Sequence, residues 1–312
     1  MKLSAEEINT WSPLFLREFV YHLNEMVGDK WDIRYKIFRP SQESREENVD
    51  GIDKNTLLVL WGDEQSQIFP EKYHQHAGAI IKCYCPEKWM KRGIIPITDA
   101  AMLYNSNAPI PKPCSQREYT IMYSANLNYR RTDIYRGLAA CNYGYPFRVS
   151  SNYPITGEYP FLHKVEAVLV HKIITRFAKK IDFSDLYPNS YIRFHRGFMQ
   201  GSLTEEEYSH RLLNSKISWC TPGFMTNETS RLLEAAQAGC AIICGKLPNN
   251  PIYQGHPFVV TSDWRNIRKL TDELLNDEAR MDELGYLARE WFDNRFSPLA
   301  QAKRIANTLS GK

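Results

Sequence analysis

The sequence predicts an α/β protein of two domains. Three observations point that way. A chain of 312 residues is long enough to bury two full cores. From Glu118 onward, strand-like and helix-like segments alternate with short connections, the pattern of a parallel, doubly wound sheet. Before that point the elements are fewer, and the stretch "NSNAPIPKPCSQ" (105–116), rich in Pro, Asn and Ser, interrupts the pattern as a linker does.

In the first domain, "PLFLREFVYHLNEMV" has the apolar spacing of a helix and "WDIRYKIF" that of a strand. "SQESREENVDGIDKN" is a polar loop, "TLLVLWGDE" a strong strand ending in acids, and "AGAIIKCYC" a further strand. In the second, "REYTIMYSAN" is a buried strand that ends in small polar residues, and "RTDIYRGLAAC" a helix starting near Thr132 or Asp133. "PFRVSS" is a strand and "HKVEAVLVHKIITRFAKKI" a long amphipathic helix. "SYIRFH" is a strand, "TEEEYSHRLLNS" a helix with a Thr–Glu capping signal, and "KISWCTP" a strand broken by Pro222. "TNETSRLLEAAQAG" follows as a helix, "CAIIC" and "PFVV" as strands, then a helix from Trp264 to about Leu275. "DEARMDELGYLAREWFDNRF" is a helix, Ser297–Pro298 a break, and a last helix runs through Leu309. No internal repeat or low-complexity tract is visible.

Composition narrows the function. The formal net charge of +3 suits an anionic ligand and gives no strong nucleic-acid signal. No apolar run approaches the roughly 20 residues that span a bilayer, and "MKLSAEEINTW" is too polar for a secretory signal. The seven cysteines include no C-x-x-C pair, so reduced thiols in the cytoplasm are expected, with no metal site. Basic residues Lys172, Arg176, Lys179 and Lys180 either form a solvated helix face or touch an anionic membrane, at its inner face.

The chemistry concentrates in "TNETSRLLEAAQAGCAIICG". Thr226 or Asn227 can cap a helix whose first turn holds Glu228, Thr229, Ser230 and Arg231. The body, Leu232, Leu233, Ala235 and Ala236, is apolar all round and should be buried, with Gly239 as the stop. A buried helix whose polar residues gather at its start offers free N–H groups and a positive dipole end, the makings of an anion site. Arg231 adds a fork of donors that suits phosphate oxygens, and Glu234, one turn on, can accept from the vicinal hydroxyls of a ribose. The plainer alternative is a solvated Arg231–Glu234 pair on a capped helix.

These residues carry a resemblance. "SRLLEAAQAGCAII", followed by "KLPNNP" and "PFVV", resembles the donor-binding half of GT-B glycosyltransferases. Thr229, Arg231, Glu234, Ala235, Gly239 and Cys240 look most like the exostosin-like branch. The resemblance covers roughly Glu118 to Leu309. It implies a GT-B fold: two Rossmann-like domains facing a cleft, a small N-terminal acceptor-side domain (1–110), a nucleotide-sugar-binding domain (111–295) and a terminal helix (296–312) crossing back. It further implies diphosphate at this helix N-terminus and ribose on Glu234. The large retaining families carry two Glu separated by seven residues; here the first of those positions is Thr226, and Glu228 lies two residues further on.

Other candidates follow from strand ends. After the first strand of the second domain, Ser124 and Asn126 can approach donor phosphates, with Arg130 or Arg131 closing on their charge or simply solvated. His195 and Arg196 end another strand at the same edge, His195 as a catalytic or a structural residue. Asp63 and Glu64 follow "VLW" in the first domain, placed either to take the acceptor proton or to cap a helix; His74 and His76 are alternatives. There is no D-x-D to hold a metal on a diphosphate, no G-x-G-x-x-G and no P-loop, so neither metal nor cofactor is expected. The expected partners are a nucleotide-sugar donor and a glycan, lipid-linked or other hydroxyl acceptor, in surface glycan or other polysaccharide synthesis. A related epimerase or hydrolase, and a non-catalytic nucleotide-binding protein, are the rivals.

Overall fold

The computed structural model describes residues 13–37, 51–61, 71–98, 104–139, 180–195, 203–223 and 227–311. The segment "PFRVSS" and the expected long helix up to Lys179 lie outside these residues, as do Asp63, Glu64, Arg196 and Thr226. In chain order the elements are α1 (Pro13–Val27), β1 (Asp32–Ile37), β2 (Thr56–Trp61), α2 (Glu71–His74), β3 (Ala79–Cys83), α3 (Glu87–Met90) and β4 (Ile95–Ile97). Then come β5 (Tyr119–Asn126), α4 (Thr132–Ala139), β6 (Tyr191–His195), α5 (Glu205–Leu213), β7 (Ser215–Cys220), α6 (Ser230–Gln237) and β8 (Ala241–Gly245). β9 (Val259–Thr261), α7 (Ile267–Leu275), α8 (Glu278–Arg295) and α9 (Pro298–Ser310) complete the described strands and α-helices.

The chain divides into two compact α/β units. The first comprises Met1–Ala108, Pro248–Gly255 and Phe292–Lys312; the second comprises Pro109–Leu247 and His256–Trp291. The first unit holds a parallel sheet in the order β1-β2-β3-β4. β2 is buried along its whole length, as "TLLVLW" demands of a strand covered on both faces. On one side Leu58, Leu60 and Ile80 pack with Tyr73, Trp89 and Ile94. On the other, Trp61 meets the rings of Phe15 and Phe19 from α1.

α1 forms because Phe15, Leu16, Phe19, Val20 and Leu23 make one apolar stripe, and it packs against α9, where Ala302 and Ile305 are fully buried. Ser297 caps α9 by accepting from the Ala300 amide at 3.3 Å, with Pro298 in the first turn. Gln301 then ties the helix to the end of β4: its Oε1 accepts from the Thr98 amide at 3.2 Å and its Nε2 donates to Thr98 Oγ1 at 2.9 Å. β4 itself is absent from the sequence-based expectation. It is three residues long with Pro96 in the middle, and an edge strand is where a sheet tolerates proline.

The second unit carries five described strands in the order β6-β5-β7-β8-β9, all parallel. One face of this sheet, with Ile121, Tyr123, Ala125, Ile192, Phe194, Ile217 and Trp219, packs on Ile134 of α4 and on Ile267 and Leu274 of α7. Strand order reverses at β5, whose neighbours come from opposite directions of winding. Such a switch point is where an open α/β sheet leaves a crevice at its carboxyl edge.

Helix α6 ends at a tight junction. Gly239 has φ +63°, and a Cβ there would sit 2.8 Å from Pro111 Cγ and 3.3 Å from the Gly285 carbonyl oxygen. The buried Arg117 guanidinium gathers the same region, donating to the carbonyls of Lys112 (2.8 Å), Ser215 (2.9 Å) and Gly239 (2.7 Å). Gly239→Ala is therefore expected to destabilise the protein by about 1–3 kcal/mol, combining left-handed backbone strain with the Pro111 clash. Thermal unfolding checks it; an unshifted midpoint would show that the junction relaxes freely.

Candidate donor site at the carboxyl edge of the second sheet

The site gathers where β5 and β7 end and α6 begins. α6 starts at Ser230, later than its polar prelude suggests, because Thr229 is still extended (φ −133°, ψ 144°). Asn227 is not the cap. Its Oδ1 accepts from Arg130 Nη2 at 3.0 Å and its Nδ2 donates to the Lys246 carbonyl at 2.6 Å, so it bridges the ends of β5 and β8 instead. Thr229 occupies the cap position without a side-chain cap bond, and its Oγ1 is buried with no hydrogen-bond partner among the described residues. The Thr229 side chain thus leaves the first amides of α6 uncapped by the N-cap residue, while Leu232, Leu233, Ala235 and Ala236 bury the body of the helix as expected.

The arginines have distinct roles. Arg131, 2% exposed, donates from Nε to Thr221 Oγ1 (3.1 Å) and the Pro222 carbonyl (2.9 Å), and from Nη1 to the Asn126 carbonyl (2.5 Å). It braces the ends of β5 and β7 against each other, which removes it from the set of solvated loop residues. Arg130, also buried, is held through Asn227, and its amide is turned by the Oδ1 of Asn128 at 3.0 Å. Arg231 is different. It is half-buried, makes no ion pair with Glu234, and donates from Nη1 to the Ser124 carbonyl at 3.1 Å. Its Nε is buried without a hydrogen-bond partner among the described residues. A guanidinium fixed at one end and unsatisfied at Nε is poised for an added acceptor.

Ser124 and Asn126, both half-buried, lie on one face of β5 with His195 of β6, and Ser124 Oγ is 2.9 Å from His195 Nε2. Glu228 and Glu234 are buried at 8% and 5% exposure, so three arginines stand against two carboxylates here. Glu234 accepts from the Tyr208 hydroxyl of α5 at 3.2 Å; burial, then the Glu234 charge, pushes the Tyr208 pKa well above that of an ordinary tyrosine. The neighbouring thiols are inert. Burial raises Cys220 and Cys240 to about 12, and all six described cysteines are free and buried.

Two residues of this edge escaped the sequence-based selection. Tyr208 gave no signal. Asn128, fully buried beside Arg130, had one: an Asn two residues before an amide it can accept from. In the first unit, His76 is exposed in the turn that leads into β3, with its amide bonded to the Tyr73 carbonyl, at the amino edge of the sheet. Trp61 ends β2 at the opposite, carboxyl edge. His74, on α2 before that turn, faces the Arg92 carbonyl at 3.0 Å from its Nε2. Among the described residues no cluster of His, Cys, Asp and Glu could hold a metal, and no helix is long and apolar enough to cross a membrane.

No family model and no curated protein sequence matches the chain. Among solved structures, it is similar to HepE of Anabaena in complex with UDP and glucose, with 13% identity over 82% of this chain and 72% of that one, at a TM-score of 0.45. It is similar to sucrose-phosphate synthase from Thermosynechococcus elongatus, with 12% identity over 82% and 67% and a TM-score of 0.42. It is also similar to an α-glucosyltransferase in complex with UDP-glucose and DNA containing an abasic site, with 12% identity over 95% and 84% and a TM-score of 0.49.

Proposed function

We propose that the second unit binds a nucleotide-sugar and that the protein is a GT-B glycosyltransferase, nearest in motif to the exostosin-like branch, moving the sugar to an acceptor hydroxyl. The observation that carries this reading is Arg231: a half-buried guanidinium on the first turn of a buried helix, anchored to the switch-point strand and unsatisfied at Nε. A departing nucleoside diphosphate gains negative charge as the glycosidic bond breaks. A helix N-terminus and a preorganised guanidinium stabilise that charge without having to reorganise.

In this reading Arg130, Asn227, Thr229 and Ser230 frame the diphosphate, Ser124 and Asn126 approach it from β5, and Arg131 braces the frame. Glu234, steadied by Tyr208, receives the ribose. Glu228, displaced by two residues from the position of the first family Glu, joins Thr226 and Arg196 in the wider binding set. The first unit supplies the acceptor side, with Asp63 or Glu64 as base. The acceptor is a glycan, a lipid-linked saccharide or another hydroxyl compound in surface polysaccharide synthesis. Buried free thiols favour a reducing cytoplasm, and the basic 172–180 segment provides for loose contact with the inner face of the membrane.

With helix and arginine in the role that a D-x-D-bound metal would fill, a nucleoside diphosphate should bind equally well with and without EDTA. Titration calorimetry over a panel of nucleoside diphosphates checks it. Binding that disappears in chelator would sink the metal-independent reading, and no binding by any member would remove the donor site itself.

A further inference from the structure

Ser124 touches two members of the site at once. Its carbonyl oxygen receives Arg231 Nη1, and its hydroxyl oxygen lies 2.9 Å from Nε2 of the buried His195. Both backbones are fixed. Asn126 and His195 are register partners of β5 and β6, and the Leu127 amide donates to the His195 carbonyl at 2.8 Å. A serine hydroxyl has one proton. If it donates to His195, the oxygen offers only lone pairs outward, and these repel phosphate oxygens. If Nε2 carries the hydrogen and donates to Oγ, the hydroxyl proton is released to point elsewhere.

We propose that His195 is a positioning residue: it donates from Nε2 to Ser124 Oγ and so turns the Ser124 proton toward a phosphate oxygen of the bound nucleoside diphosphate. This rests on the donor-site reading above and extends it to a part of the site that binds phosphate through a histidine-set hydroxyl. The arrangement needs no charge on the imidazole, only the Nε2–H tautomer. It accounts for a buried histidine meeting a half-buried serine at the edge where Arg231 is anchored.

The test is a double-mutant cycle read by calorimetry, with a nucleoside diphosphate and its parent nucleoside as paired probes. Ser124→Ala and His195→Leu should each weaken the diphosphate about tenfold or more, the scale of a hydrogen bond to a charged group, and leave the nucleoside within about twofold. The double variant should lose little beyond either single change, because both remove the same bond. His195→Gln, whose amide nitrogen can donate from a similar position, should recover most of the affinity. Equal losses for diphosphate and nucleoside, or additive losses without rescue by Gln, would mark His195 as structural and overturn the proposal. Should His195→Leu fail to fold, Ser124→Ala against Ser124→Thr decides it: a diphosphate-specific loss that Thr restores supports the proposal, and equal affinity in both overturns it. Wild-type protein that binds no diphosphate would defeat the donor-site reading first; wild-type binding with unchanged variants defeats this inference alone.

Discussion

Asp63→Asn or Glu64→Gln should cut turnover by about 10²–10⁴-fold, the usual contribution of a general base, and leave donor affinity nearly intact. β2 is buried along its whole length, and Trp61 brings it to the carboxyl edge, where open parallel sheets place their working loops. Asp63 and Glu64 follow in the sequence by two and three residues. The measurement pairs calorimetric donor affinity with nucleoside diphosphate released from the preferred nucleotide-sugar in the presence of acceptor. Unchanged turnover in both variants would discharge this pair. Suspicion would then pass to His74, on α2, and His76, in the turn before β3. An Asp63 that only caps a helix would instead lower stability by about 1 kcal/mol and spare turnover.

Arg231→Ala is expected to weaken a nucleoside diphosphate by about 10- to 140-fold, equivalent to roughly 1.5–3 kcal/mol for a hydrogen bond to a charged partner. The parent nucleoside should be nearly unaffected. Arg231→Lys should recover only part of the loss, because an ammonium cannot hold the Ser124 carbonyl and present a planar donor pair together. Glu234→Gln should behave differently, weakening diphosphate and nucleoside alike through the shared ribose. A simple surface pair between the two is already disfavoured: Arg231 turns to Ser124 and Glu234 to Tyr208. Equal affinities in wild type and both variants would return these side chains to a structural role.

The elements were legible where one physical pattern dominated. α1, β2, β5 and the Thr204–Glu207 capping box of α5 each carry a local signature strong enough to read from residues alone. β4 was not legible, because a three-residue strand around a proline has no period and is defined by its neighbour β3 and by the helix that returns to it. The site divides in the same way. Arg231 and the buried helix body are local facts. The start of α6 was placed too early because Asn227 is drawn away by Arg130 and Lys246, residues 97 and 19 positions distant. The Ser124–His195 and Tyr208–Glu234 pairs span 71 and 26 positions, and nothing in either local sequence announces the partner.

The pairing of α1 with α9 has a consequence for biosynthesis. The first helix of the described chain finds its cover in the last, after every strand of both sheets has been made. As the polypeptide leaves the ribosome, Phe15 and Phe19 can meet Trp61 of β2 early, but the side of α1 that packs on α9 has no cover until α9 emerges. The second unit, apart from its border with α8, is continuous save for residues 248–255 and can condense earlier. The N-terminal unit is thus obliged to wait, with an apolar stripe open to chaperones or to another chain, and a molecule truncated before Pro298 should accumulate with that stripe uncovered.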